Sequence, residues 1–131
     1  MAGWNISEEA TALLNDAHLW DMTIPWQSRG DAGVQNQILT RAADNGYTLA
    51  SLTISSDWEG LDAAITAIAK HRAYFLDNSD KFVVVETFED AERAKREGKL
   101  AIVFHFQGTN PVESNIDMVE TYHKLGVRHM L

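Results

Sequence analysis

The feature that most constrains the fold is a set of apolar, β-branched segments that alternate with segments of helical periodicity. Residues 100–106 (LAIVFHF) are apolar almost throughout, as expected for a strand that is buried on both faces of a sheet. Further strand-like segments are YTLASLTI at 47–54, FVVVET at 82–87 and VRHML at 127–131. Helical patterns fill the intervals, so the sequence predicts a parallel sheet covered by helices.

Local signals mark where several of the helices begin and end. Ser7 can cap a short first helix, and Thr87 with Asp90 resembles a capping box at the start of FEDAERAKREG. The pair Asn45-Gly46 is a typical end of a helix, and a loop is expected at residues 30–33.

Two architectures agree with this order of elements: an open doubly wound sheet and a (β/α)8 TIM barrel. No glycine fingerprint of a nucleotide-binding loop follows any predicted strand, which disfavours the nucleotide-binding open sheets. A closed barrel takes roughly 250 residues. We therefore expect residues 1–131 to form the N-terminal part, about the first half, of a single barrel domain, whose open edges would favour association.

The charge and the residue usage exclude several classes of function. With 11 basic against 19 acidic residues the net charge is -8, which disfavours nucleic acid as a partner. There is no cysteine, so any metal must be bound by His, Asp or Glu, and a reducing compartment is consistent with this composition. The N-terminus lacks a signal-peptide pattern, and no apolar run approaches the roughly 18 residues of a membrane span. We expect a cytoplasmic protein without a membrane span.

The segment NDAHLWDMTIPW contains a candidate metal-binding pair, His18 and Asp21. We expect both residues at the end of a first strand, the edge on which parallel α/β proteins place their sites. Residues three apart on a regular strand point to opposite faces, so the two side chains can share a zinc ion only if a bend follows His18. The alternative is a polar pair near the surface.

A second candidate is VFHFQGTNP at residues 103–111, where Val103, His105 and Gln107 share one face of the predicted strand. In a barrel, Gln107 would lie at the rim with His105 one layer below. The alternative for His105 is a neutral, hydrogen-bonded histidine in the core.

Several aromatic residues and histidines are weaker candidates. Trp20, Trp26 and Trp58 fall near predicted strand ends, where they can line an apolar pocket or belong to the core. His71 and His123 fall in predicted helices among polar neighbours, and we expect both to be solvated.

The order of these motifs resembles the membrane (renal) dipeptidases and their bacterial relatives, metal-dependent hydrolases with a (β/α)8 barrel. In that family an early strand ends in D-x-H-x-D, and here Asp16 and His18, followed by Asp21, occupy that place. The segments AERAKREGKLAIVFHFQG and YHKLGVRHML are similar to the family's later helix, the strand that closes in E-G, and the helix that leads into G-V-R.

The resemblance implies cleavage of a small peptide or amide bond by a metal-activated water, with one or two zinc ions. Two positions depart from the family: Asp21 comes one residue late, and Gln107 replaces the glutamate that bridges two zinc ions. The family's catalytic residues lie beyond the region that matches Leu131, and a homo-oligomer is expected at full length. A degenerate relative that only binds small molecules or partners is the alternative. The implied metal ligands are His18, Asp21 and Gln107, and the implied pocket residues are His105, Trp20, Trp26 and Trp58.

Overall fold

The computed structural model describes residues 5–26 and 32–131, without the side chains of 32–35. The loop predicted at residues 30–33 lies partly outside these ranges. The first helix is capped as predicted, since Ser7 Oγ accepts a hydrogen bond from Ala10 N at 3.1 Å. The elements are α1 (Glu8–Asp16), β1 (Trp20–Pro25), α2 (Ala32–Asp44), β2 (Leu49–Ser56), α3 (Leu61–Asp77), β3 (Phe82–Val84), α4 (Phe88–Arg96), β4 (Leu100–Gln107), a 3-10 turn (Asn110–Val112), α5 (Met118–Lys124) and β5 (Val127–Met130).

The strands form one parallel sheet in which β4 is central. β2 pairs with β4 along its whole length, and β1 pairs with the other edge of β2. β3 pairs with the first residues of β4 and β5 with the last residues, so β3 and β5 lie end to end along the same edge of β4. The predicted parallel sheet is confirmed, and its strands agree with the apolar segments of the sequence.

Two arginines form hydrogen bonds across the junction between β3 and β5. The guanidinium of Arg128 donates to the carbonyl oxygens of Val85 and Glu86, both at 3.0 Å. Arg72 of α3 contacts the Glu86 carboxylate at 2.9 Å and donates to the Leu125 carbonyl at 3.2 Å. The arginine of the G-V-R segment thus satisfies backbone carbonyls that have no ladder partner where one strand stops and the next begins.

The main core fills the space between the sheet and the helices that include α3 and α5; the face of the sheet that these helices cover is called the outer face. Apolar residues at helical spacing on α3, Ile68 and Phe75, pack against the buried strand residues Leu52 and Phe104. Tyr122 of α5 is fully buried in the same cluster, where its ring packs edge-on against Phe106. None of the helices in the described part of the chain is long and apolar enough to cross a membrane.

Helix α4 covers the other, inner face of the sheet near the strand starts. Its small residues Ala91 and Ala94 pack against Val83, Ala101 and Val103. The capping box predicted at its N-terminus is present, with Thr87 and Asp90 bonded reciprocally. At the other end of α4, the Lys95 ammonium donates to the carbonyls of Asp16 and Ala17, which attaches the helix to the segment before β1.

Candidate functional site

The carboxyl ends of parallel strands meet at one edge of the sheet, where α/β barrels place their sites. Here that edge, the carboxyl rim, is formed by Pro25 of β1, Ser56 of β2, Gln107 of β4 and Met130 of β5. A predicted site residue can therefore act at this site only if it lies near this rim.

His18 lies at the opposite end of the sheet. Helix α1 runs to Asp16 and β1 begins at Trp20, so His18 precedes the strand, and its predicted position at the strand end is wrong. Its Nε2 atom lies 2.8 Å from Glu92 Oε1 of α4, and its ring packs edge-on against Trp20. Trp20 pairs with Leu49, which pairs with Ala101, and Ala101 lies six residues before Gln107 on β4. At about 3.3 Å per residue, about 20 Å separates the level of Trp20 from Gln107.

Asp21 is the second residue of β1, so its predicted position at the strand end is also wrong. It pairs with Ala50, and its Oδ1 atom accepts a hydrogen bond from Thr23 N at 3.1 Å. With Arg41 and Tyr47 it lines an open groove between β1 and α2. The structure brings neither His18 nor Asp21 to Gln107.

The end of β1 at the rim is formed by other residues. Ile24 and Trp26 are buried in the outer core, whereas Pro25 pairs with Thr53, which points to the inner face. Thr23 lies within an irregularity of the strand between Asp21 and Ile24. A shared metal ion would require a bend or bulge directly after His18, whereas the irregularity lies inside β1, between Asp21 and Ile24.

His105 lies at the centre of a buried polar cluster on the inner face. Its Nδ1 atom is 2.9 Å from Ser51 Oγ and its Nε2 atom is 2.7 Å from Thr53 Oγ1, both on β2. The side chain is 0% exposed, and burial together with the neighbouring His129 lowers the pKa of His105 to about 4. Of the two alternatives for His105, this environment is that of the neutral, hydrogen-bonded core histidine.

His129 completes this cluster and was missed in the sequence. Its ring stacks on His105 with centroids 4.6 Å apart and planes 11° apart. Its Nε2 atom lies 3.1 Å from the carbonyl oxygen of Met22, which can only accept, so Nε2 carries the proton. The buried Nδ1 atom has no hydrogen-bond partner among the described residues. The signal that could have revealed it is that His129 lies on a strand parallel and adjacent to the strand that carries His105.

Gln107 is exposed at the end of β4, and the loop beyond it is fixed by Asp57. The Gln107 carbonyl accepts from Asp57 N at 3.2 Å, and the Asp57 carboxylate accepts from Asn110 N at 3.0 Å. Gly108 has φ +119°, and a Cβ atom at this position would overlap the Asp57 carboxylate. The loops after β2 and β4 are therefore locked together, with the Gln107 side chain at the solvent side.

The three candidate tryptophans have different environments. Trp58 follows β2 at the rim and is 88% exposed. Trp26 is 4% exposed, and its indole Nε1 donates to His71 Nδ1 at 3.1 Å inside the outer core. Trp20 lies at the opposite end of the sheet beside His18. Of these three, only Trp58 offers a ring to the rim.

The prediction that His71 is solvated is wrong, because Trp26 covers it. His71 is 3% exposed, and its pKa is lowered to about 4, first by burial and then by the charge of Lys70. His123 is exposed on α5, as predicted.

Comparison with known proteins gives the family. The family model of the membrane dipeptidases (Peptidase family M19) matches residues 11–131. The chain belongs to the membrane dipeptidase family. No curated protein sequence gives a significant match.

Solved structures show the same fold. An amidohydrolase from Pseudomonas aeruginosa is 28% identical with a TM-score of 0.79, over 92% of this chain and 35% of that one. The probable dipeptidase PvdM from Pseudomonas aeruginosa is 18% identical with a TM-score of 0.68, over 93% of this chain and 36% of that one. The dipeptidase AC, described as an M19 metallopeptidase, is 13% identical with a TM-score of 0.66, over 86% of this chain and 41% of that one. The fold is thus part of a (β/α)8 barrel, as predicted, and the chain spans 35–41% of these structures.

The zinc ions implied by the family do not fit the donors of this rim. Zinc in proteins is bound by cysteine, histidine and carboxylate side chains. Across residues 5–26 and 32–131, no three His, Asp or Glu side chains are grouped so that they could hold a metal ion. Both ring nitrogens of His105 are engaged by hydroxyl groups, the Asp57 carboxylate is used in the loop, and Gln107 is neutral.

Proposed function

We propose that the chain is the N-terminal part of a dipeptidase-like hydrolase that acts on a small peptide or amide. The observation that supports this most is the family match over residues 11–131. Because the chain spans only 35–41% of the structures it resembles, the activity and the substrate of the whole protein belong to the proposal. A cytoplasmic location and a homo-oligomer remain predictions from the sequence.

In this proposal the residues of the chain bind the substrate, and no step of bond cleavage is assigned to them. The exposed carboxamide of Gln107 can both donate and accept a hydrogen bond, which matches the N–H and C=O groups of a peptide. The backbone behind it is held by Asp57. Trp58, which is 88% exposed at the same rim, offers an aromatic surface for an apolar substrate side chain.

Dipeptide turnover by the full chain, compared with the variants Gln107→Ala and His18→Ala, tests this proposal. Loss of one hydrogen bond of about 1.4 kcal/mol corresponds to roughly a tenfold lower kcat/KM for Gln107→Ala. His18→Ala is the matched control, since His18 lies at the far end of the sheet and should leave kcat/KM unchanged. Absence of turnover over a panel of dipeptides, with and without added divalent metal, contradicts the proposal.

The second candidate is a relative that binds a small molecule without hydrolysing it. The observation in its favour is the neutral Gln107 at the position where the family has a bridging glutamate. The variant Gln107→Glu separates the two functions. A gain of metal and activity indicates chemistry that this chain has lost, whereas reduced activity indicates that Gln107 belongs to a working site.

A further inference from the structure

The bounds of β1 change which of its residues lie near the carboxyl rim, where the family's D-x-H-x-D segment ends an early strand. β1 ends at Pro25. The four residues of β1 nearest the rim are Met22, Thr23, Ile24 and Pro25, and none of them is a histidine or a carboxylate. The earlier placement on Asp16, His18 and Asp21 falls in α1 and at the start of the strand.

Three side chains near the carboxyl rim on β1 and β4, those of Thr23, Pro25 and Gln107, carry no charge. Pro25 has no donor atom in its side chain, Thr23 offers a hydroxyl group, and Gln107 offers an amide. None of these side chains is among the usual ligands of zinc, and none supplies the negative charge that two neighbouring cations require. These side chains lie on two different strands, so the lack of metal ligands near the rim is not confined to one segment.

A hydrogen-bonded cluster ties together the strands that a shared metal ion would join. His129 of β5 reaches the Met22 carbonyl of β1 at 3.1 Å and stacks on His105 of β4. His105 in turn contacts Ser51 and Thr53 of β2 at 2.9 and 2.7 Å. Four strands thus contribute to one network of hydrogen bonds and ring contacts.

This network is not itself a zinc site. Both nitrogens of His105 are engaged, and Nε2 of His129 faces a carbonyl oxygen, which leaves a single ring nitrogen, His129 Nδ1, without a partner among the described residues. One nitrogen is too few for a metal that takes four ligands.

We propose that the strand ends of this chain contribute no ligand to a divalent ion, and that the His105 and His129 pair provides the link between strands in its place. This inference concerns metal binding alone and does not depend on the proposed hydrolysis.

The first test measures zinc in the full chain by elemental mass spectrometry and by calorimetric titration with zinc chloride alone. We expect Thr23→Ala and Gln107→Ala to hold the same amount of zinc as the unaltered protein, whatever that amount is. The triple variant Thr23→His, Pro25→Asp, Gln107→Glu should gain at least one bound zinc ion. Loss of zinc in either alanine variant overturns the inference. A folded triple variant that gains no zinc overturns the assignment of these three positions to the place of a shared metal ion. The alanine variants decide the question if the triple variant does not fold.

The second test measures the melting temperature Tm with and without EDTA. We expect EDTA to change Tm by the same amount in Gln107→Ala as in the unaltered protein, and His129→Ala to lower Tm equally in both conditions. A drop in Tm caused by EDTA that disappears in Gln107→Ala overturns the inference. Because neither test uses hydrolysis as a readout, absence of dipeptidase activity would contradict the proposed function without affecting this result.

Discussion

His129 Nε2 lies 3.1 Å from the carbonyl oxygen of Met22, although two strands separate β5 from β1. In a flat sheet these strands would be three spacings of about 4.8 Å apart, or about 14 Å, which is beyond the reach of one imidazole. The sheet must therefore curve strongly toward its inner face. This curvature is the property that distinguishes a barrel from the open doubly wound sheet, the other architecture that the sequence allowed.

Replacing His129 by alanine should destabilise the protein. The change leaves the Met22 carbonyl without its donor and removes the ring that stacks on His105. An ordinary intramolecular hydrogen bond contributes about 0.5–1.5 kcal/mol, and we expect a decrease of this size in the free energy of unfolding. Urea-induced unfolding measures it, with exposed His123→Ala as the matched control, expected within about 0.5 kcal/mol of the unaltered protein. Equal effects of the two variants would contradict the role of His129.

Stability should fall as the pH decreases from neutral toward 4. The pKa values of His71 and His105 are lowered from 6.5 to about 4 in the folded state, so the unfolded chain binds more protons between these values. The contribution of these two histidines to the free energy of unfolding is therefore fully present above pH 6.5 and is lost as the pH falls toward 4. A pKa decrease of this size corresponds to roughly 3 kcal/mol for each histidine at the acid end.

The two histidines can be separated experimentally. Protonation of His71 must displace the hydrogen bond that Trp26 Nε1 donates to His71 Nδ1, so tryptophan fluorescence should respond to this residue. Urea midpoints measured from pH 7.5 to 4.5 should show a shallower slope in His105→Gln than in the unaltered protein. A slope that is the same in His105→Gln would exclude His105 as a source of the acid sensitivity.

The parts of the fold that the sequence predicts well are those with a local signal. β4 is apolar over nearly its whole length because both faces are covered, and α4 begins at a capping box whose two partners are three residues apart. The start of β1 has no such signal. Its residues are mostly exposed, so they do not show the period that marks a buried strand, and the prediction placed His18 at the wrong end.

The buried polar contacts on both faces of the sheet depend on pairings that are distant in the sequence. Ser51 and His105 are 54 positions apart, and Trp26 and His71 are 45 apart. The alternation of residues in β4 placed His105 and Gln107 on one face, but the residues that surround His105 follow from the order and register of the strands. Family resemblance supplied the barrel, and only the bounds of β1 could show that Thr23 and Pro25 lie near the rim.

Gly108→Ala should unlock the loops at the carboxyl rim. Gly108 has φ +119°, and a methyl group there would overlap the carboxylate of Asp57, which holds Asn110 N. Gly46→Ala is the matched control, because Gly46 also has a positive φ, of +84°, but has no atom within 4 Å of the added Cβ. Both variants incur backbone strain of about 1–3 kcal/mol. Gly108→Ala should lose more stability than Gly46→Ala, and it should also expose the amide of Asn110 to hydrogen exchange. Equal losses with unchanged exchange would contradict this account of the loop.

His18→Ala should have little effect on stability and none on zinc content or dipeptide turnover. His18 contacts Glu92 of α4 at 2.8 Å in a pair whose side chains are 30% and 37% exposed, and such pairs contribute about 0–1 kcal/mol. Glu92→Ala removes the same contact from the other side, so the two single variants and the double variant should lose nearly the same free energy of unfolding. Thermal unfolding and turnover measured on these three proteins give the comparison. Loss of turnover or of bound zinc in His18→Ala, but not in Glu92→Ala, would contradict this expectation. His18 would then have a role at the site that its position before β1 does not explain. The assignment of the rim to Thr23, Pro25 and Gln107 would have to be abandoned.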